Sequence, residues 1–126
     1  VVVFALPLDG EAEVPSNGRF QIQFSNDMDE ASFKGRVLIR YAPPPRAGDR
    51  AFDGAKMTYD GGRKALTVDP GDVLRAGREV EILLLPGIID IDGQELVARP
   101  GREGGPMGAT DYLRYQVLTA SLFGAR

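Results

Sequence analysis

The sequence contains no cysteine and no histidine. That removes disulfides, thiol nucleophiles, the usual zinc ligands and every catalytic relay built on imidazole. Carboxylates, lysine, tyrosine and four serines remain, without the ordinary base to activate them. No catalytic residue and no cofactor are therefore expected. No apolar run approaches the ~20 residues of a membrane-spanning helix. The opening Val1-Val2-Val3-Phe4-Ala5-Leu6 lacks a basic leader and is too short for the apolar part of a signal peptide. Net charge is −3, and the 12 Arg and 3 Lys stand singly or in pairs such as Arg63-Lys64. Without a basic stripe interleaved with aromatics, a nucleic-acid partner is not expected.

What is present is a chain of 126 residues, 43% hydrophobic and 26% charged, the size and composition of one globular domain. Its 16 Gly and 9 Pro predict many turns and short elements. Apolar residues recur with a period of two and hardly ever with the helical period. Strands are read over 1–6, 19–24 and 36–41, around Met57-Tyr59 and Leu66-Val68, and over 79–85 and 112–119. Asp60-Gly61-Gly62-Arg63 is the clearest hairpin turn, because glycine supplies the positive φ a tight turn demands. Pro43-Pro44-Pro45 stops the third strand, since proline cannot donate to a ladder. Only Asp29–Phe33 reads as a short helix, with one helical turn at most over 72–76. The class is all-β: about seven strands in two antiparallel sheets, a sandwich with Greek-key connections. An up-and-down barrel suits the long links at 42–54 and 99–111 less well.

Along each strand one parity is apolar, which places Phe20, Ile22, Phe24, Ile39, Leu66, Val68, Ile82, Leu84, Tyr115 and Val117 in a shared core. On the fifth alternating segment Glu79 and Glu81 point outward. Leu83 and Leu85 break that outer face and are expected either to be buried or to meet a neighbouring domain. Residues 1–120 form the domain and 121–126 a tail or linker. An apolar strand starting at residue 1 and an unpaired Leu122-Phe123 suggest a part of a longer chain.

Asp90, Asp92 and Glu95, spaced around Gly93, are the candidate calcium ligands, since alternating carboxylates at a bend can converge on a hard cation. They cover only a fragment of a twelve-residue calcium loop. The competing reading is a structural turn in which an aspartate caps backbone amides. Oxygens from Asn26, Asp27 and Asp29 would join only if their loop lies at the same end. A glycosidase pair is disfavoured, because Asp90 and Asp92 sit on one turn with no stacking platform nearby. The glycine-rich 100–108 lacks the Gly-Lys-Ser/Thr ending of a phosphate cradle and reads as a mobile loop. Phe33, Phe52 and Phe123, outside clear strands, are expected to plug the undersides of loops.

The order of motifs resembles bacterial Ig-like domains of the S-layer (SbsA) type. The likeness is carried by Val2–Phe4 with Pro7-Leu8-Asp9-Gly10 and Val14-Pro15, then by Phe20–Phe24 running into Ser25-Asn26-Asp27-Met28-Asp29. Tyr59-Asp60, Leu66-Thr67-Val68-Asp69-Pro70, Leu74 with Ala76-Gly77, Ile89–Leu96 and Tyr115–Thr119 follow in the same order. It spans roughly residues 1–119. The 43–50 link and the 99–108 loop are longer than is usual there, and Gln94 stands where the family has Asn. The resemblance implies an Ig-like, non-catalytic spacer or interaction module in an extracellular, periplasmic or envelope-anchored bacterial protein. Its partners would be neighbouring domains or another envelope protein. A glycan- or calcium-binding sandwich, or the first domain of a bacterial macroglobulin-like protein, is the alternative.

Overall fold

The computed structural model describes residues 1–119; the expected tail, with Phe123, lies outside them. Seven strands follow in chain order: β1 Val2–Leu6, β2 Phe20–Phe24, β3 Val37–Tyr41, β4 Lys56–Asp60, β5 Ala65–Asp69, β6 Glu79–Leu84 and β7 Asp111–Gln116. They form two antiparallel sheets, ordered β1-β2-β5-β4 and β3-β6-β7. The chain crosses between them after β2, β3 and β5, the Greek-key arrangement of a seven-strand Ig sandwich. Short 3-10 turns at Glu30–Phe33 and Pro106–Gly108 are the only helical pieces among the described residues. Residues 72–76 hold no helical turn; Leu74 donates its N–H to Ser16 C=O at 2.7 Å.

The alternation of the strands explains the layering. All ten expected core residues are buried, Phe20, Ile22, Val68, Ile82, Leu84 and Val117 with no measurable exposure. Phe20 and Tyr115 meet across the sheets at 4.7 Å between ring centres, and the Tyr115 hydroxyl donates to Pro7 C=O at 2.8 Å. At the other end Phe33 plugs the sandwich, 5.6 Å from Phe24 and 5.3 Å from Tyr59. Phe52 likewise lies against Tyr41, at 5.0 Å.

After Pro7 the chain leaves the first sheet and runs beside β7. Gly10 N–H donates to Arg114 C=O at 2.8 Å, Gln116 N–H to Glu11 C=O at 2.9 Å and Leu118 N–H to Val14 C=O at 2.8 Å. One edge of the second sheet is thereby covered, while β3 remains at the other edge.

The outer face of that sheet departs from expectation at Glu81, which is only 1% exposed, while of the two alternatives for Leu83 burial holds: it offers no surface to a neighbour. The cause is register. Leu83 lies between Leu38 and Tyr112, and the Tyr112 ring is overlaid by Arg102 and Arg114 at 5.1 and 5.0 Å. Glu81 lies between Arg40 and Arg114 and is enclosed by both. The glycine-rich segment is a run of turns flanked at its start by Arg99 and Arg102, which reach Asp9 at 3.1 and 2.7 Å.

Candidate functional site

Asp90 sits at the end of the sandwich where the loop after β6 folds back on itself. An Ile89–Glu95 bridge closes the loop, and Gly93, at φ +83°, makes the bend that a side chain would strain. Asp90 is 5% exposed. Its Oδ1 accepts the N–H groups of Asp92 and Gln94, both at 2.9 Å, and its Oδ2 accepts from the Asn26 amide at 3.1 Å. The Gln94 N–H, then the Asn26 amide and Asp92 N–H, hold this carboxyl below the usual aspartate range despite its burial.

The segment 26–29 does lie at this end. Met28 bridges to Asp90, Asp29 N–H donates to Ile89 C=O and Ile91 N–H to Asp27 C=O, both at 3.0 Å. Its oxygens face other partners, however. Asp27 Oδ1 accepts the Tyr59 hydroxyl proton at 2.5 Å, and that hydroxyl accepts Met28 N–H at 2.7 Å. Burial and then the Asp27 bond push the Tyr59 pKa upward. Asp29 caps the 3-10 turn by accepting Ala31 N–H at 3.1 Å. Asn26 presents a donor to Asp90, not an oxygen to a cation. The Asp92 and Glu95 side chains are exposed, and among the described residues no three acidic groups converge. The arrangement is a fastener between two loops.

Three clusters of charge escaped the sequence reading. Asp49 receives Arg75 at 2.6 Å and Arg78 at 2.7 Å; Arg78 is itself 5% exposed and lies 5.2 Å from the Tyr41 ring centre. The Arg78 bond lowers the Asp49 pKa strongly and raises that of Arg78. Asp111, fully buried, takes Arg99 at 2.9 Å, and Arg99 also reaches Asp9. Burial would raise the Asp9 pKa, but Arg102, the Arg114 N–H and Arg99 together lower it. In the third cluster Glu81 accepts from Arg40 at 3.0 Å and Arg114 at 2.8 Å. Nothing local announces these pairs, whose members lie 12 to 93 positions apart. The only signal, aligned Arg40, Glu81 and Arg114, needs the strand register to be seen.

A groove of about 480 Å³ opens between β3 and the proline-rich link, lined by Arg40, Tyr41, Pro43, Pro45, Arg50 and Phe52 among others. It is the tyrosine- and arginine-lined hollow at which ligand binding would be sought. Much of its polar equipment is committed: the Tyr41 hydroxyl accepts Arg75 N–H at 3.0 Å, and Arg40 is held by Glu81.

A family model described as a bacterial Ig-like domain matches residues 1–101. Among solved structures the S-layer protein SbsC superposes with a TM-score of 0.56 at 14% identity, over 96% of this chain and 14% of that one. A structure of SbsC domains 1-6 gives 0.57 at the same identity and coverages. PcoC, a copper resistance protein from Escherichia coli, gives 0.57 at 14% identity, over 93% of this chain and 98% of that one. At such identity these likenesses speak for the fold alone. No curated protein matches the chain.

Proposed function

Because the chain belongs to the bacterial Ig-like domain family, we propose that it is a non-catalytic spacer or interaction module of an exported bacterial protein. We place it outside the cytoplasm, in the periplasm, the cell envelope or beyond, with neighbouring domains or another envelope protein as its partners. The observation that carries this reading is how the buried carboxylates are used. Glu81 is tied to Arg40 and Arg114, Asp111 to Arg99, and Asp90 to two backbone amides and Asn26. A carboxylate serving as general acid or base would face a cleft with its proton free to move. Here each is spent on joining loops and strands, which suits a part whose work is to keep its shape.

The place within a longer chain is supported by SbsC, of whose chain the matched fold covers 14%. The copper resistance ascribed to PcoC belongs to that protein. Neither calcium nor any other cofactor enters the proposal.

Fractionation of cells carrying the natural, epitope-tagged gene product tests the reading. The expected product is several times longer than this domain, recovered with the envelope or the medium and cleaved by protease added outside. A cytoplasmic product of about this length, shielded from protease until lysis, would overturn it.

A further inference from the structure

Plain alternation from buried Val2 would carry the Phe4 ring into the core. The β1–β2 register instead shifts between Val2 and Phe4, so Val3 is an extra residue and Phe4 turns outward, 45% exposed. Bulges of this kind re-aim side chains and cluster near functional sites. An aromatic ring withheld from a core that has taken its neighbours Val2 and Ala5 calls for a reason.

Beside the ring lies a hollow of about 370 Å³ on the outer face of the first sheet. By register Phe4 faces Gln23, and Gln23 faces Ala65, a small side chain that lies 4% exposed at the floor. Gln21 stands two residues along, and the β4–β5 turn brings Arg63 and Lys64 to the far wall. These groups are largely uncommitted, unlike those of the Tyr41 groove. Gln23 donates one long bond to Arg63 C=O at 3.4 Å, and Arg63 is 3.8 Å from Asp60. Among the described residues the Gln21 amide and the Lys64 ammonium have no hydrogen bond or ion pair.

We propose that this hollow binds a uronic-acid unit of an acidic glycan. The C–H face of a pyranose lies against the negative face of the Phe4 ring. Each Gln offers a carbonyl acceptor and an N–H donor on one plane, which matches a pair of neighbouring hydroxyls. Lys64 and Arg63 supply the charge for the carboxylate. The inference does not depend on the module's place in a longer chain.

Amide NMR spectra of the protein test it during titration with a galacturonate trisaccharide, a neutral glucose trisaccharide and sodium sulfate at matched ionic strength. The acidic sugar should shift the signals of Phe4, Gln21, Gln23, Lys64 and Ala65, with a dissociation constant of about 1 mM, usual for so small a ligand. Phe4→Ala should weaken binding roughly tenfold. Lys64→Gly should weaken it about threefold, more at low salt. Both variants should keep the native spectrum, because Phe4 is half exposed and Lys64 has a φ of +55° that glycine adopts freely. Four results would overturn the proposal. They are no localised shifts up to about 20 mM sugar, equal binding of the neutral sugar, the same shifts from sulfate, or concentration-dependent β1 shifts without sugar. The last would assign the surface to a second copy of the chain.

Discussion

At Asp90 a single side chain ties two loops together. Its two oxygens gather three N–H donors from two loops, 64 positions apart at the furthest. Such bonds favour the charged form, and the same holds for Asp9 and Asp49. An unfolded aspartate titrates near its usual 3.8, whereas these three hold their charge to lower pH in the fold. As pH falls, the unfolded chain takes up protons first, so stability present above about pH 4 drains away below it. Tyr59 and Tyr115, raised chiefly by burial, act at the other limit: stability they hold below about pH 10 is lost as pH climbs through their native values. Melting midpoints should thus be level from about pH 5 to 9 and fall on both sides. A midpoint unchanged at about pH 3 would contradict the assignment of these carboxylates as fasteners. At the core, Phe24→Ala should cost about 3–5 kcal/mol in chemical denaturation, since Phe24 is 1% exposed and packs on Phe33.

Within single elements, alternation was legible wherever one face meets the core. Phe20, Ile22 and Phe24 on β2 are buried while Gln21 and Gln23 are not, and the turn chemistry at Asp60–Arg63 located the β4–β5 hairpin. Alternation failed where a neighbour redefined the outer face. β6 is the central strand of its sheet, and cross-strand pairs enclose Glu81 and Leu83, a relation no window of sequence contains. The β1 bulge is likewise invisible in the run of apolar residues that opens the chain. The Arg40–Glu81–Arg114 row yields a prediction of its own. Removing a partner from a fully buried pair costs about 3–5 kcal/mol, but these arginine side chains are 31% and 47% exposed and can hydrate. Glu81→Ala should therefore cost about 1–2 kcal/mol, and urea denaturation of the variant measures it. A loss near 4 kcal/mol would mean that the arginines stay dry when the carboxylate is gone.

For the whole molecule, the seven strands, the sandwich and the family were readable because they rest on parity and turn residues repeated along the chain. The candidate site was readable only in its local half. Asp90-x-Asp92-Gly93 announces a turn, but Asn26, which completes the bonding of Asp90, is brought there by the fold. The same holds for Asp49 with Arg78 and for Asp9 with Arg99, which join loops remote in sequence. We propose that the carboxylates of this module fasten the fold without a bound ion. Calorimetric melting in millimolar calcium and in chelator, for the protein and for Asp92→Ala, decides this. The prediction is that the midpoints in calcium and in chelator agree within about 1 °C for each protein, because no calcium is bound whose removal destabilises the native state. A midpoint several degrees higher in calcium, and lost in Asp92→Ala, would overturn the proposal and make the exposed Asp92 a ligand.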